Sequence, residues 1–303
     1  MKISLVGLAG CGKTSIYATT FAAKSPAETK DLKPTVMQEV HRHPYLGLNV
    51  SIFDFGGQTQ YRDNYLEKPE LFSKTDVIIP IVDLHDPEKF ESAKEYFLKI
   101  MALFEKAEKQ PKIVIFLHKY DTEEFDKDEL ESNLNKAKDL FQDALAKWNP
   151  TIQVTSIYDR EKLSMILRDI LVANYESLQK HVQSAEKQLA EINAKIIISD
   201  VSGNVIVHNV PGISSGLQLR GDLRDFISAC NTLRENFFMQ DSAVFQGESE
   251  KSEKQLELHV FKFILTVLIM RGKDIDVASE EQIKTLLKDM RLFAELVVSA
   301  HSD

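Results

Sequence analysis

Apolar positions in residues 1–175 follow two alternating rhythms. Short apolar runs such as Ile3-Ser4-Leu5-Val6, Val77–Val82 and Ile113–Leu117 have strand length, and between them apolar residues recur at helical spacing. The pattern predicts strands over 2–7, 38–45, 48–54, 76–83, 112–118 and 151–156, with helices over 13–22, 60–73, 87–109, 127–148 and 160–174. This alternation specifies an α/β domain with a mostly parallel six-stranded sheet. Only Leu46-Gly47 separates the second and third strands, so these two should form a hairpin, with glycine supplying a positive φ. Pro80 interrupts an expected central strand. Proline lacks a ladder donor, so a bulge or a bond missing on one side is expected there.

Beyond residue 175 the rhythm changes. Residues 176–194 read as an amphipathic helix with Val182, Leu189 and Ile192 on its apolar side. Two β-branched runs follow within 194–208, joined by the turn Asp200–Asn204. Residues 221–238 carry Leu223, Phe226, Ile227, Cys230 and Leu233 at helical spacing. Residues 240–255 are polar and read as a loop, 256–270 are strand-like, and 278–300 close the chain as a helix. Two domains are therefore expected, 1–175 and 176–303, the second an α+β unit with its own core.

The chain has 303 residues, 43% of them hydrophobic and 27% charged, as in a soluble globular protein. Its net charge of −9 argues against nucleic-acid partners and against attraction to anionic membranes. The two cysteines, Cys11 and Cys230, are far apart and offer neither a disulfide framework nor a zinc site, which fits a reducing cytoplasm. The longest apolar stretch, Phe261–Met270, includes Lys262 and is too short to span a bilayer. The chain opens on a strand and ends His301-Ser302-Asp303, so neither a signal peptide nor a lipid-anchor box is expected. Any recruitment to a membrane would then come through partners.

The chemistry begins with Gly7-Leu8-Ala9-Gly10-Cys11-Gly12-Lys13-Thr14, a G-x-x-x-x-G-K-[ST] loop between a strand and a helix. Backbone N–H groups of Leu8 to Ser15 and the helix N-terminus cradle phosphate, and Lys13 reaches the β and γ phosphates. Thr14 supplies a hydroxyl to Mg2+. In Asp54-Phe55-Gly56-Gly57-Gln58, Asp54 is placed to hold a metal-bound water, Gly57 to offer its N–H to a γ-phosphate, and Gln58 to orient an attacking water. Thr35, in Lys33-Pro34-Thr35, is a second hydroxyl ligand for the metal. His118-Lys119-Tyr120-Asp121 matches N-K-x-D except at its first position. Its Asp121 carboxylate suits the N1–H and 2-amino group of guanine, and the Lys119 stem can pack over the base. Ser156 and Ile157, at the end of the sixth strand, offer backbone N–H groups to the guanine O6. Cys11 stands where N–H groups converge, a setting that can lower a thiol pKa, although a small side chain lining the loop is the plainer reading. His41 and His43 read as a solvated face of an edge strand.

These motifs resemble the Ras-superfamily GTPases, and more closely the Rag (Gtr) family. The closer likeness rests on Asp-x-Gly-Gly-Gln at 54–58, His-Lys-x-Asp at 118–121, Thr155-Ser156-Ile157-Tyr158-Asp159, Asn64-Tyr65, and a G domain followed by an α+β unit. The resemblance implies GTP/GDP as ligand, Mg2+ as cofactor, and slow hydrolysis with Gln58 and Lys13 as catalytic residues. It also implies regulators of the GAP and GEF kind, and a homo- or heterodimer formed through a roadblock/longin-like domain at 176–303. No arginine stands just before Thr35, only Lys30 and Lys33, and Arg62 is a weak candidate for a finger in cis. Two rival readings stand beside this one. One is a nucleotide-responsive assembly module with little hydrolysis. The other is a P-loop ATPase or kinase, which Asp121 disfavours.

Overall fold

The computed structural model describes residues 1–22, 24–45, 48–121, 125–173, 176–200, 205–210, 242–249, 254–271 and 276–299. The chain forms two compact units, Met1–His43 with Asn49–Leu163, and Pro44–Leu48 with Ser164–Asp303.

The first unit is built on a six-stranded sheet in the order β2-β3-β1-β4-β5-β6. Its strands are β1 (Lys2–Gly7), β2 (Gln38–Tyr45), β3 (Leu48–Phe55), β4 (Val77–Asp83), β5 (Lys112–His118) and β6 (Thr151–Thr155). β1 runs parallel to both β3 and β4, and β5 runs parallel to β4 and β6. The expected loop residues Leu46 and Gly47 lie outside the described residues. Pro80 pairs with Val6 on the β1 side. On the β5 side the register stops after Ile78–Ile113 and resumes at Ile81–Phe116 with the same offset, so the strand carries a gap and no bulge. A bulge would have shifted the register; the missing N–H only removes a bond.

The helices are α1 (Lys13–Thr20), α2 (Thr59–Glu67), α3 (Phe90–Lys106), α4 (Lys127–Ala144) and α5 (Arg160–Val172). α3 buries Phe90, Ala93, Tyr96, Phe97, Ile100, Met101 and Phe104, one face at helical spacing. These join Phe55, Tyr65, Phe72 and Phe141 in the core. The rings of Phe55 and Tyr65 meet edge-on at 5.0 Å. α4 starts where Asp126 accepts hydrogen bonds from the N–H groups of Asp128 and Glu129, a cap contributing about 1 kcal/mol. α2 is shorter than expected. It ends at Glu67 because Pro69 follows, and the chain continues as a 3-10 turn over Pro69–Phe72.

The second unit contains a five-stranded sheet in the order β8-β7-β11-β10-β9. Its strands are β7 (Lys195–Asp200), β8 (Val205–His208), β9 (Ser242–Ser249), β10 (Lys254–Phe261) and β11 (Leu265–Arg271), all paired antiparallel. Lys262 and Phe263 turn the β10–β11 hairpin with φ of 49° and 52°. α6 (Glu176–Glu191) and α7 (Val277–Ser299) bring Val182, Ala185, Met290 and Phe293 against Ile198 and Val207. The division between units falls inside α5, between Leu163 and Ser164. Within the second unit, the buried Arg168 guanidinium donates to the Ile206 carbonyl at 2.6 Å and pairs with Glu186 at 3.0 Å. The polar stretch 240–255, expected as a loop, instead contains β9. A strand at a sheet edge is held by backbone ladder bonds to one neighbour, so it needs no apolar alternation for a sequence to display. The expected helix over 221–238, with Cys230, lies outside the described residues. Among the described residues, no helix is long and apolar enough to cross a membrane.

Candidate functional site

The carboxyl ends of β1, β3, β4, β5 and β6 all open on one side of the sheet, where open α/β sheets bind ligands. There the chain encloses a cavity of about 600 Å3, of the size that small-molecule ligands occupy. Its lining includes Ala9, Gly10, Gly12, Lys13, Thr14, Ser15, Thr35, Gly57, Gln58, His118, Lys119, Asp121 and Ile157, all anticipated from sequence. Leu8, Cys11, Asp54 and Ser156 are buried beneath this surface and do not line it.

The phosphate loop keeps its shape through Gly10 and Gly12, at φ of 81° and 95°. Gly12 is the N-cap of α1, so the first turn of that helix faces the cavity. The Lys13 ammonium, itself buried, donates to the carbonyls of Gly7 at 3.1 Å and Leu8 at 2.9 Å. Cys11 is buried, and burial pushes its thiol pKa up, with only partial relief from the Lys13 charge. The convergence of N–H groups is outweighed by desolvation, so Cys11 packs as a small apolar side chain.

Thr14, Thr35 and Asp54 come together across three elements. The Thr14 hydroxyl donates to Asp54 Oδ2 at 2.5 Å, the Thr35 hydroxyl to the same oxygen at 3.1 Å, and the two hydroxyls lie 2.8 Å apart. Asp54 is fully buried, and its Oδ1 has no hydrogen-bond partner among the described residues. An uncompensated buried carboxylate beside two hydroxyls suits a hard cation. Mg2+ takes one carboxylate and a few neutral oxygens from protein, and completes its shell with phosphate and water.

Switch-like segments close over this group. A Cβ placed at Gly57 would stand 2.3 Å from the Leu8 carbonyl carbon and 2.4 Å from the Ala9 nitrogen, so only glycine lets that backbone lie on the phosphate loop. The Gly56 N–H donates to the Met37 carbonyl at 2.6 Å, and the Tyr65 hydroxyl donates to the same oxygen. Burial lifts the Tyr65 pKa to about 12, so it stays a donor. Gln58 caps α2 and faces the cavity, its Oε1 accepting from Gln60 at 3.2 Å. Arg62 lies 5.2 Å from the Tyr96 ring centroid and does not line the cavity. The cavity's cations near Thr35 are Lys30 and Lys33.

At the opposite end, His118 is buried, and its Nδ1 bonds the Thr155 hydroxyl at 2.9 Å. Burial, reinforced by the charge of Lys119, holds its pKa down at about 3, so the ring is neutral. The His118 ring lies against Gly12 and ties the base motif to the phosphate loop. The Lys119 ammonium bonds Asp83 Oδ2 at 2.5 Å. Asp121 Oδ1 accepts from the Ser156 hydroxyl at 2.9 Å. His41, read from sequence as solvated, is stacked on Tyr17 at 3.7 Å and paired with Glu39.

Sequence reasoning missed Asp83 and His85. Asp83 closes the apolar run of β4 as Asp54 closes that of β3, so the same signal was present. His85 carried no motif at all.

The parallel sheet, the phosphate loop and the cavity at the strand ends define a P-loop domain of the GTPase type. A model of the Gtr1/RagA G protein conserved region matches residues 2–211, and the chain belongs to this family. It is 28% identical over 205 residues to the GTP-binding protein GTR1 of Saccharomyces cerevisiae, covering 65% of this chain and 64% of that one. It is 26% identical over 213 residues to GTP-binding protein gtr1 of Schizosaccharomyces pombe, covering 66% and 68%. To Ras-related GTP-binding protein D of Mus musculus it is 28% identical over 179 residues, covering 56% and 39%. The chain thus aligns with less than two thirds of the first of these relatives, 64% of its length.

Proposed function

We propose that this chain is a GTP-binding molecular switch that hydrolyses GTP to GDP and phosphate slowly and signals through a dimer and effector partners. One observation carries the reading: a single cavity joins the phosphate loop, Gln58 and Asp121, above the Thr14–Thr35–Asp54 cluster. Asp121 selects guanine through its N1–H and 2-amino donors. Lys13 and the loop N–H groups neutralise charge on the transferring phosphoryl group, and Gln58 orients the attacking water. Thr14, Thr35 and Asp54 would hold Mg2+, which would offset phosphate charge when bound. Release of the γ-phosphate frees Thr35 and Gly57, and the segments around them relax.

Among the described residues no arginine lines the cavity. Lysine lacks the planar fork that makes arginine an effective finger, so turnover is slow and depends on a GAP-type partner, with a GEF-type partner for exchange. Residues 1–175 form the G domain. Residues 176–303 form a roadblock/longin-like domain that dimerises, a reading supported by its antiparallel sheet, in which β8 and β9 are the edge strands among the described residues, and by Val244, 54% exposed on β9.

GTP turnover by wild type and Gln58→Leu, each with and without candidate regulators, tests the switch. Stimulated hydrolysis in wild type and its loss in the variant are expected. Equal rates in both would favour an assembly module that uses nucleotide only to set shape. Size measurement with and without 176–303 tests dimerisation, which fails if deletion leaves the oligomeric state unchanged.

A further inference from the structure

His85 is a cavity residue that no motif accounts for. It follows β4, on the loop that leads to α3. Three features describe its setting. Its backbone N–H donates to Asp83 Oδ1 at 3.0 Å, and the other oxygen of that carboxylate holds Lys119. Its ring is stacked on Phe125 at 4.4 Å, with an interplanar angle of 6°. Its Nε2 points toward Asp121 Oδ2 and stops 4.0 Å away.

That distance is informative. At 4.0 Å there is no hydrogen bond, and Nε2 is buried with no partner among the described residues. In the tautomer that carries its proton on Nδ1, the ring presents Nε2 as an acceptor. Two acceptors, Asp121 Oδ2 and His85 Nε2, then face one gap that lacks a donor. The guanine 2-amino group carries two N–H bonds. Asp121 satisfies one of them, and a second acceptor beside Oδ2 is placed to take the other.

We propose that His85 is a specificity-determining residue that accepts the second proton of the guanine 2-amino group, so that Asp121 and His85 read this group together. The proposal rests on the guanine-binding reading above. It commits the site to discrimination against hypoxanthine, which shares the N1–H and the O6 of guanine but lacks the 2-amino group.

The test compares GDP with IDP, which differ only in that group, by displacement of a fluorescent guanine nucleotide from the full chain. His85→Phe keeps a ring to stack on Phe125 and removes the acceptor; His85→Asn restores an acceptor without the ring. The GDP-to-IDP affinity ratio of the wild type should narrow roughly three- to tenfold in His85→Phe, the worth of one hydrogen bond. His85→Asn should recover part of it. Thermal unfolding of each variant checks that the fold survives. A ratio unchanged in His85→Phe overturns the proposal while leaving guanine binding intact. Absence of guanine-nucleotide binding in the wild type overturns the underlying reading instead.

Discussion

Replacing Gly12 with alanine should destabilise the first unit by about 2–5 kcal/mol. Two costs add. Gly12 has φ 95° and ψ 12°, and an L-residue held in the left-handed region costs about 1–2 kcal/mol. The new Cβ would also stand 2.6 Å from Cδ2 and 2.9 Å from Nε2 of His118. That ring cannot swing away freely, since its Nδ1 is bonded to Thr155 inside the core. Overpacking against a fixed neighbour costs about 1–3 kcal/mol. The chain's single tryptophan provides the assay. Trp148 belongs to the first unit and packs against its core, so its fluorescence during urea unfolding follows that unit. A double-mutant cycle isolates the contact. In Gly12→Ala/His118→Ala the clash is gone and only the backbone cost remains, so the two changes should couple favourably by about 1–3 kcal/mol. Additivity within about 0.5 kcal/mol would refute the claim that the His118 ring is what Gly12 accommodates.

Two further outcomes follow from the same geometry. Chelating Mg2+ should speed GDP release from the wild type by at least about tenfold, a 1.4 kcal/mol effect, and should change little in Asp54→Asn; equal sensitivity in stopped-flow release would remove Asp54 from the metal site. Acid should weaken the first unit through His118, whose pKa falls from 6.5 to about 3 on folding. The unfolded chain then binds the extra proton, so this stability is whole above pH 6.5 and declines toward pH 3, by up to about 1.4 kcal/mol per pH unit. Urea midpoints at pH 7 and 5 should separate in the wild type and converge in His118→Asn, and parallel shifts in both would contradict the assignment.

Periodicity and a few short motifs already named most of the residues that line the cavity. Strand-length apolar runs ending in Gly7, Asp54 and His118 placed the motifs at strand ends, because a parallel sheet gathers those ends on one side. Spacing could not show how side chains meet across elements. The hydroxyls of Thr14 and Thr35 converge on one Asp54 oxygen only once α1, the loop before β2 and β3 are packed together. The sequence favoured Cys11 as a small side chain lining the loop, and only the fold shows the burial that raises its thiol pKa. β9 was invisible for a different reason, because an edge strand depends on ladder bonds that leave no side-chain signature.

The residue chemistry by itself pointed to Gly7–Thr14 as a phosphate loop and to Asp121 as the carboxylate for a base. These are local properties, set by glycine's freedom, the strand–helix turn and the identity of Asp121. Only the tertiary structure decided that His118 is a neutral wedge against Gly12, that Asp83 grips Lys119, and that His85 stands 4.0 Å from Asp121. Each of these depends on atoms far apart in the chain sharing one desolvated space. Folding creates that proximity, and no spacing along the sequence encodes it.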